Sequence, residues 1–544
     1  MYNLLQEEWI PVKRAAGEQP AYISPSEVTE GSAANPVRAP AAPRPDFNGA
    51  LLQFLIGLVQ TACPPRNETE WQEKFRCPPC PEELDAAFKR YADAFNLDGT
   101  GPRFMQDLDL TKTDGEWKTI DHLLIEMPGE QTLEKNTDHF QKRGTVKTIC
   151  QSCCTMALFT LQTNAPAGGR GHRTSLRGGG PLTTLVTGRT LWETIWLNVI
   201  PREALGRYGN DTMCDGAGMF PWLGHTRTSG KNEITTPRDV HPVQMFWGMP
   251  RRVRLVCETR TEAVPCDLCG RPVHDRVSRY YDKSYGIHYK GGWQHILSPS
   301  VTDRRTGESR SRHGQPGCIS YRNRLGYIQD DPEKDFTREP AVVVRLFREE
   351  RASAFAEIPG SPFRLFAFGY DMDNMKARGW YEGSLPLGAV DRGIRAGYED
   401  GVSRMIQTAD LIVFNVRVAV KKALVAPGTA VSGDLSVIDD EFWQDTEPDF
   451  YAMAGELQEI LKENLPLTSM KLRWLSLLTQ EGEMLFDRYS QSNIIARANP
   501  ERIARARIHF TRFSSLQNKK IRELLDLETT PLQDLAGTPE IVRH

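Results

Sequence analysis

Cys150-Gln-Ser-Cys153-Cys-Thr-Met-Ala-Leu-Phe159, then Asn164-Ala-Pro-Ala-Gly-Gly-Arg-Gly171-His-Arg173, then Ser175-Leu-Arg-Gly-Gly-Gly180-Pro-Leu-Thr-Thr-Leu-Val186, is the stretch on which the reading of the fold turns. A cysteine pair of metal-binding spacing leads into a short apolar run. A glycine loop with two arginines and a histidine follows. A glycine turn then enters a β-like segment. Glycine lets backbone approach a ligand without a Cβ in the way. Arginine beside it supplies charge and forked donors for phosphate or base edges. A mobile surface loop between two core elements has the same composition.

Outward from this stretch, length and composition set bounds. At 544 residues there is room for about two to four domains. Hydrophobic content of 39% and charged content of 25% are those of an ordinary soluble protein. A net charge of −3 argues against a protein that coats nucleic acid all over, and leaves local basic patches as the place for any such contact. The longest apolar run, residues 50–59, is too short to span a bilayer. Gln6, Glu7 and Glu8 interrupt any signal pattern, so a cytoplasmic protein without membrane association is expected.

Eleven cysteines, several of them in Cys-x-x-Cys pairs, suit metal binding in a reducing compartment. Three such pairs occur: Cys77/Cys80, Cys150/Cys153 and Cys266/Cys269. Two converging pairs make a tetrahedral thiolate site. Cys77-Pro-Pro-Cys80 lacks both backbone N–H groups that a metal knuckle uses. Cys150-Gln-Ser-Cys153 and Cys266-Asp-Leu-Cys269-Gly270 keep theirs, so Cys150, Cys153, Cys266 and Cys269 are expected to hold a structural Zn2+. Free buried thiols are the alternative, and Cys257 is a substitute ligand. A redox role is disfavoured because no strand-to-helix setting is read around any pair.

Gly168-Gly169-Arg170-Gly171 fails the phosphate-loop pattern, since no Gly-Lys-Ser/Thr follows. It fails the dinucleotide fingerprint as well. A backbone-led contact in a DNA minor groove stays open.

The stretch resembles the CasA family, the large subunits of the type I-E CRISPR surveillance complex Cascade. The opening Asn3-Leu-Leu-Gln-Glu-Glu-Trp-Ile-Pro-Val12 is similar to that family's first strand. The likeness is most specific over residues 165–184 and weak over 202–241. It supports the same four cysteines as zinc ligands. It implies that Gly168, Gly169, Arg170 and Gly171 read the protospacer-adjacent motif (PAM) of double-stranded DNA. Arg170 stands where the best-known relatives have glycine, which puts the PAM preference in doubt. Tyr281-Asp-Lys283-Ser-Tyr285 matches, one residue out of step, a segment that presents a lysine to the PAM duplex. A solvated lysine between two aromatics is the plain reading of Lys283. Phe368-Gly-Tyr370-Asp-Met-Asp373-Asn374-Met375-Lys376 matches the family's wedge hairpin, which starts strand separation. Unaided, it reads as a polar turn between strands, and Met375 suits an apolar wedge. Thr137-Asp-His-Phe140-Gln-Lys-Arg143 combines an aromatic with cations. That mix suits base stacking or phosphate contact, or a surface loop with Phe140 tucked inward. The resemblance makes His139, Phe140, Lys142 and Arg143 a contact to the guide RNA and a neighbouring subunit.

Along the chain, residues 2–12 and 20–24 read as a strand hairpin and 31–45 as a loop. Residues 46–60 form a buried helix with Asp46 as N-cap, and 81–91 a second helix. Residues 184–200 read as strand then helix, 240–256 as strands with Trp247 buried, and 303–313 as an exposed loop. Residues 341–347 and 362–368 read as strands. Strand patterns stop near Leu387. Residues 402–425, 439–464, 469–489 and 500–527 then carry four helical patterns. Arg505, Arg512 and Lys519 fall seven apart in the last, as a solvated face or a track for DNA phosphates.

The expected fold is α+β: a large mixed α/β N-terminal domain over 1–386 with a structural zinc site, followed by a C-terminal four-helix bundle over 387–544. The expected function is that of a non-catalytic Cascade subunit that recognises the PAM, begins unwinding and R-loop formation, and supports recruitment of the helicase-nuclease. Its partners would be guide RNA, other Cascade subunits, target DNA and that nuclease. The alternatives are a zinc-containing nucleic-acid-modifying enzyme and a structural zinc scaffold without DNA contact.

Overall fold

The computed structural model describes residues 1–17, 20–31, 35–111, 113–135, 143–169, 171–214, 216–355, 363–373, 375–425, 435–490 and 499–527. Two compact units result. The first comprises Met1–Pro316, Pro332–Phe347 and Pro362–Leu387; the second comprises Gly317–Asp331, Arg348–Ser361 and Gly388–His544. Two segments that precede Leu387 in sequence thus belong to the second unit.

The first unit is mixed α/β around one buried helix, Pro45–Ala62. Phe47, Leu51, Leu52, Phe54, Leu55, Leu58 and Val59 are all buried. Phe54 lies at the centre, edge-on to Trp9, Phe95, Phe104, Phe159 and Trp247 at 5.3–5.9 Å between ring centres. Asp46 is not the N-cap: Arg44 is, with Pro45 at the first helical position. The Asp46 carboxylate is spent elsewhere. It is buried, pairs with Arg44, and accepts the Tyr370 hydroxyl at 2.6 Å.

Three of this unit's sheets are antiparallel throughout. Ile10–Arg14 pairs antiparallel with Ala21–Ile23 on one side and with Val37–Pro40 on the other. The third strand arises inside the expected loop at 31–45. The longest hairpin is Arg252–Pro265 with Pro272–Lys283; Glu116–Thr119 and Ile149–Cys150 add to the outer edge of its second strand. Arg364–Asp373 runs between Lys376–Pro386 and Thr183–Thr187, all antiparallel.

Several local expectations fail for one reason. Val342–Leu346 is helical, not a strand. Pro340 precedes it, and Val343, Val344 and Phe347 bury one helical face, so tertiary packing overrides the β preference of three valines. Pro242–Phe246 is a 3-10 turn, and the strand starts only at Arg252, although Trp247 is fully buried as expected. Ser309–Ser311, in the expected loop at 303–313, pairs with Ser300–Asp303.

The second unit is helical. Among the described residues its helices from Gly388 onward are Arg395–Leu424, Ser436–Asp445, Glu447–Lys462, Thr468–Ser490, Pro500–Phe513 and Lys519–Leu524. Met405, Ile406, Ala409, Ile412, Val413, Val416 and Val420, read at helical spacing, all enter its core. Two patterns read as single helices are each two. Pro448 sits in the first turn of Glu447–Lys462, so the preceding helix ends at Asp445. Asn518 caps Lys519–Leu524 by accepting from the Lys520 backbone N–H, which starts a new helix beyond Phe513.

Candidate metal centre and nucleic-acid interface

The metal centre assembles from a strand end and a hairpin turn. Cys150 closes the two-residue strand Ile149–Cys150 and caps the helix Gln151–Asn164; its sulfur accepts from the Cys153 N–H at 3.4 Å. Cys266 and Cys269 occupy the turn between Arg252–Pro265 and Pro272–Lys283. That turn closes through Cys266 N–H to Arg271 O (2.9 Å) and Gly270 N–H to Cys266 O (2.8 Å). Gly270 has φ +74°, a conformation that side chains resist, which is why glycine trails the pair.

Backbone bonds tie the two pairs. Cys150 N–H donates to the Cys266 sulfur at 3.3 Å. The Asp267 carboxylate accepts from the backbone of Lys147 and Thr148, each at 2.7 Å. The four sulfurs lie within 4.8 Å of one another, with Cys150, Cys153 and Cys266 buried and Cys269 half-buried. Metal–sulfur bonds of ~2.3 Å in a tetrahedron place sulfurs about 3.8 Å apart. Cys150 and Cys269 are at 3.8 Å. Hydrogen bonds among the four sulfurs hold Cys266 and Cys269 below the usual thiol range and push Cys150 and Cys153 above it. The donor set therefore fits a thiophilic metal ion, and four sulfurs leave no position for a reactive water.

Cys150 and Cys153 do sit at a strand-to-helix junction, but the strand is too short to leave a pattern. What separates this site from a redox pair is the second pair of sulfurs. Cys77 and Cys80 are exposed, Cys257 is half-buried, and neither they nor Cys154 join the cluster.

The glycine loop continues from the same helix. Arg251 donates to Pro166 O at 2.5 Å, and Ser175 N–H to Ala165 O at 3.1 Å, which pins both ends. Gly168 has no room for a side chain: a Cβ would lie 2.4 Å from His172 Cβ. Gly171 has φ +87°, and a Cβ there would lie 2.9 Å from Ser284 Cβ. Gly169 is exposed, with nothing within 4 Å of a Cβ.

This loop docks on the chain leaving Pro272–Lys283. Tyr285 N–H donates to Gly171 O at 2.8 Å. His172 Nε2 meets Asp282 Oδ2 at 2.9 Å, and Arg173 Nε donates to Ser229 Oγ at 2.9 Å. Lys283 thus stands beside the loop, half-buried, with no ion pair among the described residues.

The loop's exit leads to the third element. A Cβ on Gly180 would lie 2.7 Å from Tyr370 O and from Met372 Cγ. The hairpin Arg364–Asp373/Lys376–Pro386 is braced at this level: Asp371 is buried and receives Arg378 Nε and Nη2 at 2.7 and 2.8 Å. Its third-strand partner reaches only to Phe368; beyond it Gly314 bridges Asp371, and the turn after Asp373 extends past that contact. Asp373 pairs with Lys376, and Met375 is 56% exposed.

Other candidates distribute differently. Arg170, Asn374, His139, Phe140 and Lys142 lie outside the described residues. Arg143 donates to Leu133 O at 3.1 Å. Arg505 pairs with Glu501 at 2.5 Å and Lys519 with Glu523 at 3.2 Å. Because the helix ends at Phe513, Arg512 and Lys519 are not two turns apart on one helix, and the expected stripe is broken. His172 and Arg173, read with the glycine loop, here tie it to Asp282 and Ser229; Ser229, Arg251 and Asp282 were not anticipated, since single polar residues at no fixed spacing leave no sequence signal.

A family model for CRISPR-associated protein Cse1 matches residues 3–483. The fold is similar to the crystal structure of CasA from Thermus thermophilus, at 16% identity and TM-score 0.67, covering 94% of this chain and 99% of that one. It is similar to Cse1 from Thermobifida fusca at 15% identity and TM-score 0.67, covering 97% and 99%. A chain of a CRISPR RNA-guided surveillance complex matches at 15% identity and TM-score 0.63, covering 94% and 99%.

Proposed function

The chain belongs to the CRISPR-associated protein Cse1 family, and from that premise we propose that it is the large, non-catalytic subunit of a type I-E Cascade complex in the cytoplasm. In this reading it recognises the PAM in double-stranded DNA and begins strand opening, after which guide RNA held with the other subunits reads sequence by base pairing. It also supports recruitment of the helicase-nuclease.

The observation that carries the reading is the bond from Tyr285 N–H to Gly171 O, which holds the glycine loop against the segment bearing Lys283. The division of roles follows from side-chain chemistry. Gly168, Gly169, Arg170 and Gly171 present backbone to the minor groove, where width matters more than reach. Lys283 adds a cation at the same duplex. Asp373, Asn374 and Met375 form the wedge at the hairpin tip, braced from below by Asp371 and Arg378. His139, Phe140, Lys142 and Arg143 contact guide RNA and a neighbouring subunit. Arg505, Arg512 and Lys519 are left as a solvated face rather than a DNA track, because they do not share one helix and Arg505 and Lys519 pair with Glu501 and Glu523.

The metal is zinc, and its work is structural: it joins the strand end at Cys150 to the turn at Cys266–Cys269. A zinc enzyme would need an exchangeable position that a four-sulfur shell does not leave. The second unit serves as a four-helix bundle packed along Arg395–Leu424, with the shorter helices as additions.

The test uses the assembled complex. Binding is measured at one salt concentration on a PAM-bearing duplex and on the same duplex with its strands already separated beside the PAM. Glycine-loop and Lys283 variants should weaken binding to both. Hairpin-tip variants should lose strand opening on the intact duplex only. Unchanged binding by every variant would overturn the assignment.

A further inference from the structure

Arg271 follows the second cysteine pair, and both its backbone and its side chain turn to the four-sulfur cluster. Its carbonyl accepts from the Cys266 N–H at 2.9 Å, and its own N–H donates to the Cys269 sulfur. Its guanidinium hydrogen-bonds the sulfurs of Cys269 and Cys150, one from each pair. Nη2 also donates to Ser152 Oγ at 2.9 Å. The guanidinium carbon lies over the Tyr22 ring, 3.6 Å from its centre. No carboxylate pairs with this arginine among the described residues.

These contacts answer a problem of charge. Four thiolates around a divalent ion leave a centre with a surplus of negative charge. Cys150, Cys153 and Cys266 are buried, where an uncompensated charge is costly. A guanidinium is always protonated, and its fork can serve two acceptors at once. Its bonds to thiolate sulfur are charge-assisted. The face of Tyr22 holds the cation without consuming an N–H. Two elements outside the cysteine turns thus place it: Tyr22 from the strand Ala21–Ile23, and Ser152 from the first turn of Gln151–Asn164. Packing alone would account for the ring contact. It would not account for donation to sulfurs of both pairs.

We propose that Arg271 is the charge partner of the metal centre: laid on Tyr22 and fixed by Ser152, its guanidinium compensates the four-thiolate shell and sets how tightly that shell holds its ion. The inference rests on the reading of Cys150, Cys153, Cys266 and Cys269 as a metal centre, and adds the residue outside the shell on which its affinity depends.

The full-length protein is loaded with zinc, and its affinity is measured by competition with a chromophoric chelator. A second sample carries cobalt(II), whose thiolate-to-metal charge-transfer band reports on the sulfurs. Arg271→Met keeps the length of the side chain and its packing on Tyr22 while removing charge and donors. It should lower zinc affinity ~10–100-fold. It should also move the cobalt band to longer wavelength, because a sulfur that loses a donor gives up electron density more readily. Arg271→Lys restores the charge without the fork and should recover part of the affinity. Ser152→Ala removes only the hydroxyl that fixes the guanidinium and should lose less than Arg271→Met. Wild-type affinity and band position in Arg271→Met would overturn the proposal. Equal losses in Arg271→Met and Arg271→Lys would overturn it too, and make Arg271 a packing residue. If Arg271→Met does not fold, the cobalt spectra of Arg271→Lys and Ser152→Ala decide, and an unmoved band in both overturns it. A wild-type protein that takes up neither zinc nor cobalt is a separate result, which removes the metal reading itself and this proposal with it.

Discussion

The four-cysteine cluster and the glycine-loop face belong to one unit and are built by opposite means. The cluster brings together four identical side chains from two Cys-x-x-Cys segments. The face offers backbone at Gly169, one lysine and a hairpin tip, drawn from three places in the chain. A ligand held by side-chain chemistry leaves a spacing that can be read. A ligand met by backbone shape leaves little more than glycines, whose meaning depends on what lies opposite them.

This contrast breaks most readily at the metal. Cys266→Ser should remove about one zinc per chain by metal analysis and cause the largest loss of stability. Structural zinc sites are worth ~10–16 kcal/mol of apparent binding, a sum that exceeds the whole stability of many domains. An unchanged melting temperature with full metal content would show that the cluster is not a structural site.

Next come the glycines, which should differ from one another. Gly171→Val forces a β-branched residue to φ +87° and against Ser284, so a cost of about 1–3 kcal/mol to the fold is expected, visible in thermal melting. Gly169→Val meets nothing in the fold and should alter stability by less than ~0.5 kcal/mol, while weakening PAM-duplex binding. Equal melting losses at both positions would erase the distinction between a glycine needed by the fold and one needed by the ligand.

Lys283→Ala should cost about 1–3 kcal/mol of duplex binding if the lysine meets a base, without lowering the melting temperature. Loss of stability in place of binding would return Lys283 to the role of a packing residue. The smallest effect is expected at the tip. Met375→Ser should change affinity for intact duplex by less than about 1 kcal/mol and slow strand opening, with the defect gone on pre-opened target. The same defect on both targets would remove the wedge.

The helix that ends at Ala62 was legible because its apolar residues recur at one local period. The helices of the second unit were legible for the same reason. Their internal breaks at Thr446 and beyond Phe513 were not, since a periodic pattern continues through a short interruption. Val342–Leu346 was misread because three valines favour a strand until Pro340 and the burial of Val343, Val344 and Phe347 decide otherwise. The strand Val37–Pro40 went unread because its residues are chosen by the partner across the sheet.

By itself the sequence determined the two competent cysteine pairs, the buried helix, the helical second half and the family likeness, all of which rest on neighbours within a few residues. Only the tertiary structure decided what those parts face. It joined Cys150 to Cys266 across 116 residues, His172 to Asp282 across 110, and Asp46 to Tyr370 across 324. It also turned Asp46 from a cap into a brace for the hairpin, and buried Arg177 on Thr183, Ser298 and Gln53. Local spacing is set by chain geometry and survives in the order of residues. Contacts across hundreds of residues are set by which surfaces the core brings together, and a linear pattern does not record them.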